Sequence, residues 1–278
     1  MNPLLPLLPL PRTGSSGAGI SYYTKVIRCP RKARLDKEHS EQEKADGAAA
    51  LGTVLHQMDE LYYGGITDNP AALQISDVNW GDTITEARRC WAAYVAKFPG
   101  PDFWGEVIGT EMLFPQHYGQ DPVVEAVIGS LPFTIRIDRV VRVTPESAKR
   151  IANATPDLGV LTPGVYLMDR KTKGKQDGDA ALMHMYSLQF ASYLMIYNAL
   201  HTEKALGMIV DELITTKEVK FRQFLVTPPD EQQQAVIRSM VANAKALEKT
   251  DAALGVSFAC KEYNRFCPHL LTGNCKRF

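Results

Sequence analysis

The segment Val165–Lys173 constrains the fold of this 278-residue chain more than any other stretch. It is apolar up to Met168 and then carries Asp169 and Lys171, which are two positions apart. Side chains two apart on a β-strand point to the same face. The segment therefore predicts a strand whose end presents a carboxylate and an ammonium side by side.

A second predicted strand, Phe133–Val141, alternates between apolar and polar residues, which places Asp138 on the face opposite Ile137. If the two strands pair, Asp138 joins Asp169 and Lys171 in one acidic pocket with a lysine at its rim. Two carboxylates that share a site repel each other unless a cation lies between them. Mg²⁺ and Mn²⁺ are the cations that suit oxygen ligands.

These two aspartates and the lysine resemble, in order and spacing, the signature of the PD-(D/E)XK nucleases. Two helix motifs narrow the resemblance to the RecB-like exonuclease branch. The Gly52-x-x-x-His56 motif is similar to that branch's Gly-x-x-x-His motif, and Gln189-x-x-x-Tyr193 is similar to its Gln-x-x-x-Tyr motif. Asp169 occupies a position where glutamate is more usual.

The resemblance covers roughly residues 22–275 and implies a single α/β domain with a restriction-endonuclease-like core, in which helices flank a mixed central β-sheet. We expect the proline-rich residues 1–20 to form a flexible tail and residues 21–278 to form the nuclease domain. The segments 21–50 and 250–278 would be joined at a cysteine cluster.

The implied activity is that of a metal-dependent DNA exonuclease, acting on single strands or DNA ends in recombination, repair or CRISPR-type DNA processing. The expected catalytic residues are Asp138, Asp169, Lys171, Gln189 and Tyr193. The expected ligands of Mg²⁺ or Mn²⁺ are His56, Glu111, Asp138, Asp169 and the backbone carbonyl of Arg170. Taken alone, a histidine beside an apolar helix stripe, such as His56, is more often a core or boundary residue than a ligand. Glu111, taken alone, is equally typical of a surface strand residue.

The charge of the chain restricts how it can bind DNA. Lys+Arg and Asp+Glu are equal at 31 each, so the net charge is zero and strong non-specific binding to nucleic acid is disfavoured. DNA binding then requires a local basic groove, for which Arg31, Arg139 and Lys173 are the candidates. The alternative is that these residues are ordinary solubilising surface charges.

Four of the five cysteines form the second group of interest. The arrangement resembles the four-cysteine iron–sulfur site of RecB-like nucleases, which implies a [4Fe–4S] cluster held by Cys29, Cys260, Cys267 and Cys275. Structural Zn²⁺ and unligated cysteines are the alternatives, although zinc sites usually contain a closer cysteine pair than Cys260-x6-Cys267. Cys90 lies on the apolar side of a predicted helix and is interpreted as a core residue.

The sequence contains no apolar run near the roughly 20 residues that a membrane helix needs, and its proline-rich start does not resemble a signal peptide. We therefore expect a cytoplasmic location, bacterial or in the host of a phage, with no membrane partner. The expected partner is DNA, together with recombination or CRISPR proteins, and the oligomeric state is left open. Two alternatives to the exonuclease are a non-catalytic DNA-end-binding module of the same fold and a hydrolase of small phosphate esters.

Hydrophobic periodicity also predicts the individual elements. The predicted helices are 52–63, 83–98, 181–200 and 231–247. The predicted strands are 107–114, 123–131, 132–143, 164–172, 206–213 and 219–226. The polar stretch 146–163 is predicted to be an extended loop.

Overall fold

A mixed β-sheet forms the centre of the protein. The computed structural model describes residue 35 and residues 47–66, 81–114, 134–176, 178–249, 261–262 and 265–266. The sheet runs in the order β1 (Glu106–Phe114), β2 (Ile135–Val143), β3 (Gly164–Lys173), β4 (Ala205–Thr215) and β5 (Val219–Val226). Strands β3 and β4 are parallel, whereas the other three neighbouring pairs are antiparallel. The predicted pairing of the strands that carry Asp138 and Asp169 is confirmed.

Helices surround this sheet and match most of the predicted ones to within a few residues. They are α1 (Gly47–Tyr63), α2 (Gly81–Lys97), α3 (Pro145–Ala154), α4 (Ala180–Met185), α5 (Leu188–Leu200) and α6 (Asp230–Lys249). A short 3-10 helix, Pro156–Leu158, follows α3, and two-residue strands β6 (Lys261–Glu262) and β7 (Arg265–Phe266) pair with each other. The predicted helix 181–200 is interrupted between α4 and α5.

The hydrophobic core consists of two layers, one on each face of the sheet. On one face, which we call the α1 face, Leu55 of α1 and Tyr94 of α2 belong to the same buried cluster as Met168 of β3. On the other, the α5 face, Phe190 of α5 clusters with Leu167 of β3. Because helices cover both faces of a mixed sheet, the predicted α/β class is confirmed.

The interpretation of 146–163 as an extended loop is wrong, because the 3-10 helix and all of α3 except Pro145 fall within it. Thr144 caps this helix: its hydroxyl accepts from the Ser147 N–H at 3.2 Å, and the Ser147 hydroxyl accepts from the Thr144 N–H at 2.8 Å. A proline occupies the first position of the helix, where its missing N–H costs nothing. The segment is predominantly polar, so its sequence does not indicate a helix, but Ile151 is buried in the core of the α1 face.

Several predictions concern residues outside those the structure describes. They are the tail 1–20, the strand 123–131, Arg31, Cys29, Cys260, Cys267 and Cys275. Cys90 is buried in α2, where burial raises the pKa of its thiol to about 11, so its interpretation as a core residue is confirmed. Among the helices in the described part of the chain, none is both long and apolar enough to cross a membrane.

Candidate active site

The candidate site lies where β2 and β3 part. Their pairing ends at Arg139–Met168, one residue before Asp138 on β2 and Asp169 on β3. From there β2 continues beside β1, and β3 continues beside β4. The Asp138 carboxylate takes the place of a ladder partner, because its Oδ2 accepts from the backbone N–H of Arg170 at 2.8 Å. This bond fixes the carboxylate at the point of separation.

On the α5 face, a hydrogen-bond network holds the acid–lysine pair. Lys171 Nζ lies 2.6 Å from Asp169 Oδ2 and donates to Gln189 Oε1 at 3.1 Å. The amide nitrogen of Gln189 donates to Asp169 Oδ1 and to the Tyr193 hydroxyl, both at 2.9 Å. The strand periodicity predicts that Asp169 and Lys171 share a face. The structure adds that Gln189 connects both residues to Tyr193.

His56 reaches the site from the α1 face. Its Nδ1 lies 3.3 Å from Asp138 Oδ2. Helix α1 passes over the end of β3, where a Cβ added at Gly52 would lie 4.0 Å from the side chain of Thr172. The two ends of the Gly-x-x-x-His motif therefore lie beside β3 and beside Asp138.

Glu111 completes this group from β1. Its carboxylate, the Asp138 carboxylate and the His56 imidazole each offer a ligand atom, and these atoms all lie within 4.8 Å of one another. The backbone of Glu111 has φ +47°, in the left-handed region that residues other than glycine rarely occupy. The neighbouring Arg136 guanidinium lies 3.5 Å from the Glu111 carboxylate. A strained backbone thus accompanies an acid directed at the site.

The electrostatics of the site favour a bound cation. Burial raises the pKa of Glu111 to about 8, and the charge of Asp138 adds to the shift. Burial likewise raises the pKa of Asp169 to about 6, although the Lys171 charge opposes it. Desolvation lowers the pKa of His56, which favours the neutral imidazole that binds metals. Two carboxylates and an imidazole that converge in this way fit Mg²⁺ or Mn²⁺.

Asp169 and the backbone carbonyl of Arg170, the other two expected metal ligands, are not part of this group. Both carboxylate oxygens of Asp169 are engaged by Lys171 and Gln189, so Asp169 borders the group of His56, Glu111 and Asp138. Its role as a ligand stays a prediction. The same is true of the Arg170 backbone carbonyl.

Arg139 is buried in the protein instead of lying on an exposed basic surface. Its side chain is 4% exposed, and its guanidinium lies 3.6 Å from the ring centroid of Tyr63 on the α1 face. This burial contradicts the expected DNA contact. The cause is a break in the alternation of β2, since Ile137 and Val140 both belong to the core of the α5 face. Arg139, which lies between them and pairs with Met168, therefore faces the α1 side of the sheet.

The side chain of Arg170 is a buried feature that sequence reasoning missed. It is 1% exposed on the α1 face, with its guanidinium 2.9 Å from Asp59 Oδ1 and 3.0 Å from Asp211 Oδ2. The ring of Tyr94 lies 3.8 Å away. Asp59 is on α1, so this cluster joins that helix to β3 and β4. No local pattern marks the cluster, because its acids are separated by about half the chain.

Lys173 takes part in a second ionic cluster on the α5 face. Its ammonium lies 2.7 Å from the buried Glu212, to which His184 Nε2 at 2.7 Å and Arg222 Nε at 3.0 Å also bind. Burial alone would raise the pKa of Glu212, but the hydrogen bonds from these three residues lower it to about 2. Lys173 therefore has a carboxylate partner within the protein, and its DNA contact stays a prediction.

Comparison with known proteins adds little beyond this geometry. No family model matches the chain, and no curated protein matches it. Among solved structures, the chain is similar to SSO0001, with 14% identity, a TM-score of 0.41 and coverage of 90% of this chain and 84% of that one. It is also similar to a "putative exonuclease" from Eubacterium rectale, with 13% identity, a TM-score of 0.49 and coverage of 87% and 85%. At these values, neither likeness carries an argument about the site.

Proposed function

We propose that the protein is a metal-dependent deoxyribonuclease that hydrolyses phosphodiester bonds, and that it acts as an exonuclease on single strands or DNA ends. One observation carries the proposal. The group of His56, Glu111 and Asp138, which could hold a metal ion, adjoins the Asp169–Lys171 pair where β2 and β3 separate. The proposed context is recombination, repair or CRISPR-type DNA processing, which rests on the resemblance to RecB-like nucleases.

The proposed metal ligands are His56, Glu111 and Asp138, to which the resemblance adds Asp169 and the backbone carbonyl of Arg170. A divalent metal held there would polarise the scissile phosphate and lower the pKa of bound water. Asp138 is held ready by the Arg170 N–H, which fixes the position of one carboxylate oxygen. His56 adds a nitrogen ligand, which shifts the preference from Mg²⁺ toward Mn²⁺.

Lys171 supplies the positive charge in the proposed mechanism. Its ammonium is anchored by Asp169 and Gln189, while its side chain remains 31% exposed. A fixed ammonium beside the scissile phosphate stabilises the negative charge that develops on the phosphate oxygens in the transition state. Gln189 sets the direction of this ammonium, and the Tyr193 hydroxyl holds the amide of Gln189 in turn.

The test is a cleavage time course on end-labelled single-stranded and double-stranded DNA, with Mg²⁺, Mn²⁺ or EDTA and with protein purified without air. Wild type and Lys171→Ala are compared, and Lys149→Ala, at an exposed position of α3, is the matched control. We expect metal-dependent loss of label in wild type and Lys149→Ala but not in Lys171→Ala. The order of product sizes gives the polarity of digestion.

The contrary outcome is equally clear. If wild type does not cleave DNA with either metal but still binds DNA ends, the protein is the non-catalytic end-binding module of the same fold. If Lys171→Ala cleaves as fast as wild type, the proposed role of the lysine is wrong.

The [4Fe–4S] cluster is a separate proposal that rests on the resemblance and on four cysteines outside the described residues. Iron content and visible absorbance of anaerobically purified protein test it, and zinc content distinguishes the alternative metal. We expect Cys267→Ala to lose the absorbance and Cys90→Ala, at a buried position of α2, to retain it. Colourless protein without iron would contradict the proposal.

A further inference from the structure

An exposed apolar surface lies beside the candidate site. Leu182 and Met183 on α4 are each 60% exposed, and Tyr186 in the following turn is 70% exposed. Residues three and four apart on a helical turn are neighbours, so Leu182, Met183 and Tyr186 share one side of this turn. We call these three residues the α4 platform. Clustered exposed apolar side chains of this kind commonly mark a binding surface.

Helix α4, which carries the platform, is attached to the sheet through the buried side chain of His184. His184, in the middle of the same turn, is buried and binds Glu212 of β4 at 2.7 Å. Its ring lies 5.5 Å from the ring of Phe190 and 5.4 Å from that of Phe224. The Tyr186 N–H donates to the Leu182 carbonyl at 3.1 Å, which holds the turn together. The exposed side chains of the platform therefore project from a helical turn that is held against the sheet.

The platform is close to the acid–lysine pair. Tyr186 precedes Gln189 by three residues, so their Cα atoms are at most about 11 Å apart. Gln189 in turn accepts a hydrogen bond from Lys171. The cations of the Glu212 cluster, Lys173 and Arg222, lie on the same face of the sheet. An apolar aromatic surface thus adjoins positive charge, which is the combination that binds a nucleobase and its phosphate.

We propose that the α4 platform stacks against an unpaired nucleobase of a single DNA strand whose neighbouring phosphate lies at Lys171. The proposal rests on the nuclease function above and specifies its substrate. Inside a duplex, both faces of each base are covered by the neighbouring base pairs, so an exposed tyrosine ring cannot stack on them. A single strand or a frayed end offers these faces. The platform therefore favours single-stranded DNA over duplex DNA.

Binding is measured without cleavage, with single strands that carry the fluorescent base 2-aminopurine at successive positions and with Ca²⁺ in place of Mg²⁺ or Mn²⁺. We expect quenching at one position in wild type, because stacking on the tyrosine ring quenches this base. Tyr186→Ala is expected to lose the quenching and to weaken single-strand binding by about 5- to 100-fold, the range for loss of one base–aromatic stack. Tyr186→Trp should retain both.

Leucine variants provide a matched control. Leu182 belongs to the platform, whereas Leu206 is an exposed leucine at the start of β4, beside Gly164 at the start of β3. The site lies toward the other end of these strands. We expect Leu182→Ala to weaken single-strand binding and Leu206→Ala to leave it unchanged.

Three results would overturn the proposal. The first is wild-type affinity of Tyr186→Ala for single strands, and the second is an equal loss of affinity for blunt duplex. The third is light scattering that shows self-association in wild type and none in Tyr186→Ala, since the platform would then bind a second copy of the chain. Failure of the nuclease function is distinguishable, because protein that binds single strands through Tyr186 but never cleaves them retains the platform.

Discussion

Two consecutive residues of β3, Arg170 and Lys171, lie on opposite faces of the sheet and in opposite surroundings. The Arg170 guanidinium is sealed between Asp59 and Asp211 on the α1 face. The Lys171 ammonium is bound by Asp169 on the α5 face but keeps access to solvent. A buried ionic cluster such as that of Arg170 can hold elements of the fold together, whereas a solvent-accessible charge such as that of Lys171 can contact a substrate.

The buried Arg170 cluster also influences the geometry of the candidate active site. Asp59 follows His56 by three residues on α1, so the Arg170–Asp59 ion pair ties this helix to β3 close to the candidate ligand. The backbone N–H of the same Arg170 holds Asp138. Arg170 therefore helps to position both His56, through its helix, and Asp138, through the backbone N–H.

Arg170→Ala is expected to have the largest effect, a loss of about 3–5 kcal/mol in the free energy of unfolding. The substitution leaves two buried acids without their cation, while the backbone carbonyl is retained. Denaturant unfolding measures the change.

Arg142→Ala is the matched control, because Arg142 also bridges two acids, Glu106 at 2.7 Å and Glu203 at 2.8 Å, but is 40% exposed. We expect it to cost less than about 1 kcal/mol. Similar losses in the two variants would contradict the contrast between buried and exposed clusters.

Lys171→Ala is expected to slow cleavage by at least about 10²- to 10³-fold and to lower stability less than Arg170→Ala does. The ammonium is needed in the transition state, and its loss leaves one buried acid, Asp169, which keeps its hydrogen bond from Gln189, whereas Arg170→Ala leaves two acids without their cation. Single-turnover cleavage and denaturant unfolding are measured on the same preparations. A variant that unfolds as easily as Arg170→Ala would place Lys171 in the structural cluster instead.

Glu111→Gln is expected to change how stability depends on pH in the absence of metal. The folded-state pKa of Glu111, about 8, lies above its ordinary value of 4.5, so its stabilising contribution is present below pH 4.5 and is lost as the pH rises through 8. Wild type should therefore lose a few kcal/mol, at most about 5, across this range beyond what the variant loses. Thermal unfolding in EDTA measures it, and profiles that run parallel would refute the assignment. Added Mn²⁺ should restore wild type most at high pH.

His56→Ala is expected to have the smallest effect, an increase of at least about tenfold in the Mn²⁺ concentration for half-maximal cleavage. The increase for Mg²⁺ should be smaller, because imidazole suits Mn²⁺ better. His201→Ala is the control, since the ring of His201 stacks on Tyr197, 3.9 Å away between centroids, at the end of α5. Equal metal requirements in wild type and His56→Ala would remove His56 from the ligand set.

Local periodicity in the sequence is enough to predict several elements of the fold and part of the candidate site. Alternation in β2 and the apolar run of β3 predict two strands, and the spacing of Asp169 and Lys171 predicts their shared face. Helical periodicity similarly predicts α1, which carries His56, and α5, which carries Gln189. These patterns depend on neighbours along the chain, so the sequence alone displays them.

Other features of the site depend on residues that are distant along the chain and meet only in the folded protein. The break in alternation of β2 turned Arg139 into the core, and the left-handed backbone of Glu111 accompanied its approach to Asp138. The partners of Arg170 come from α1 and β4, which no spacing in the sequence relates. A one-residue irregularity reverses every later side chain of a strand. Strand pairing and helix packing therefore settle which charges are sealed in the interior and which remain available for chemistry.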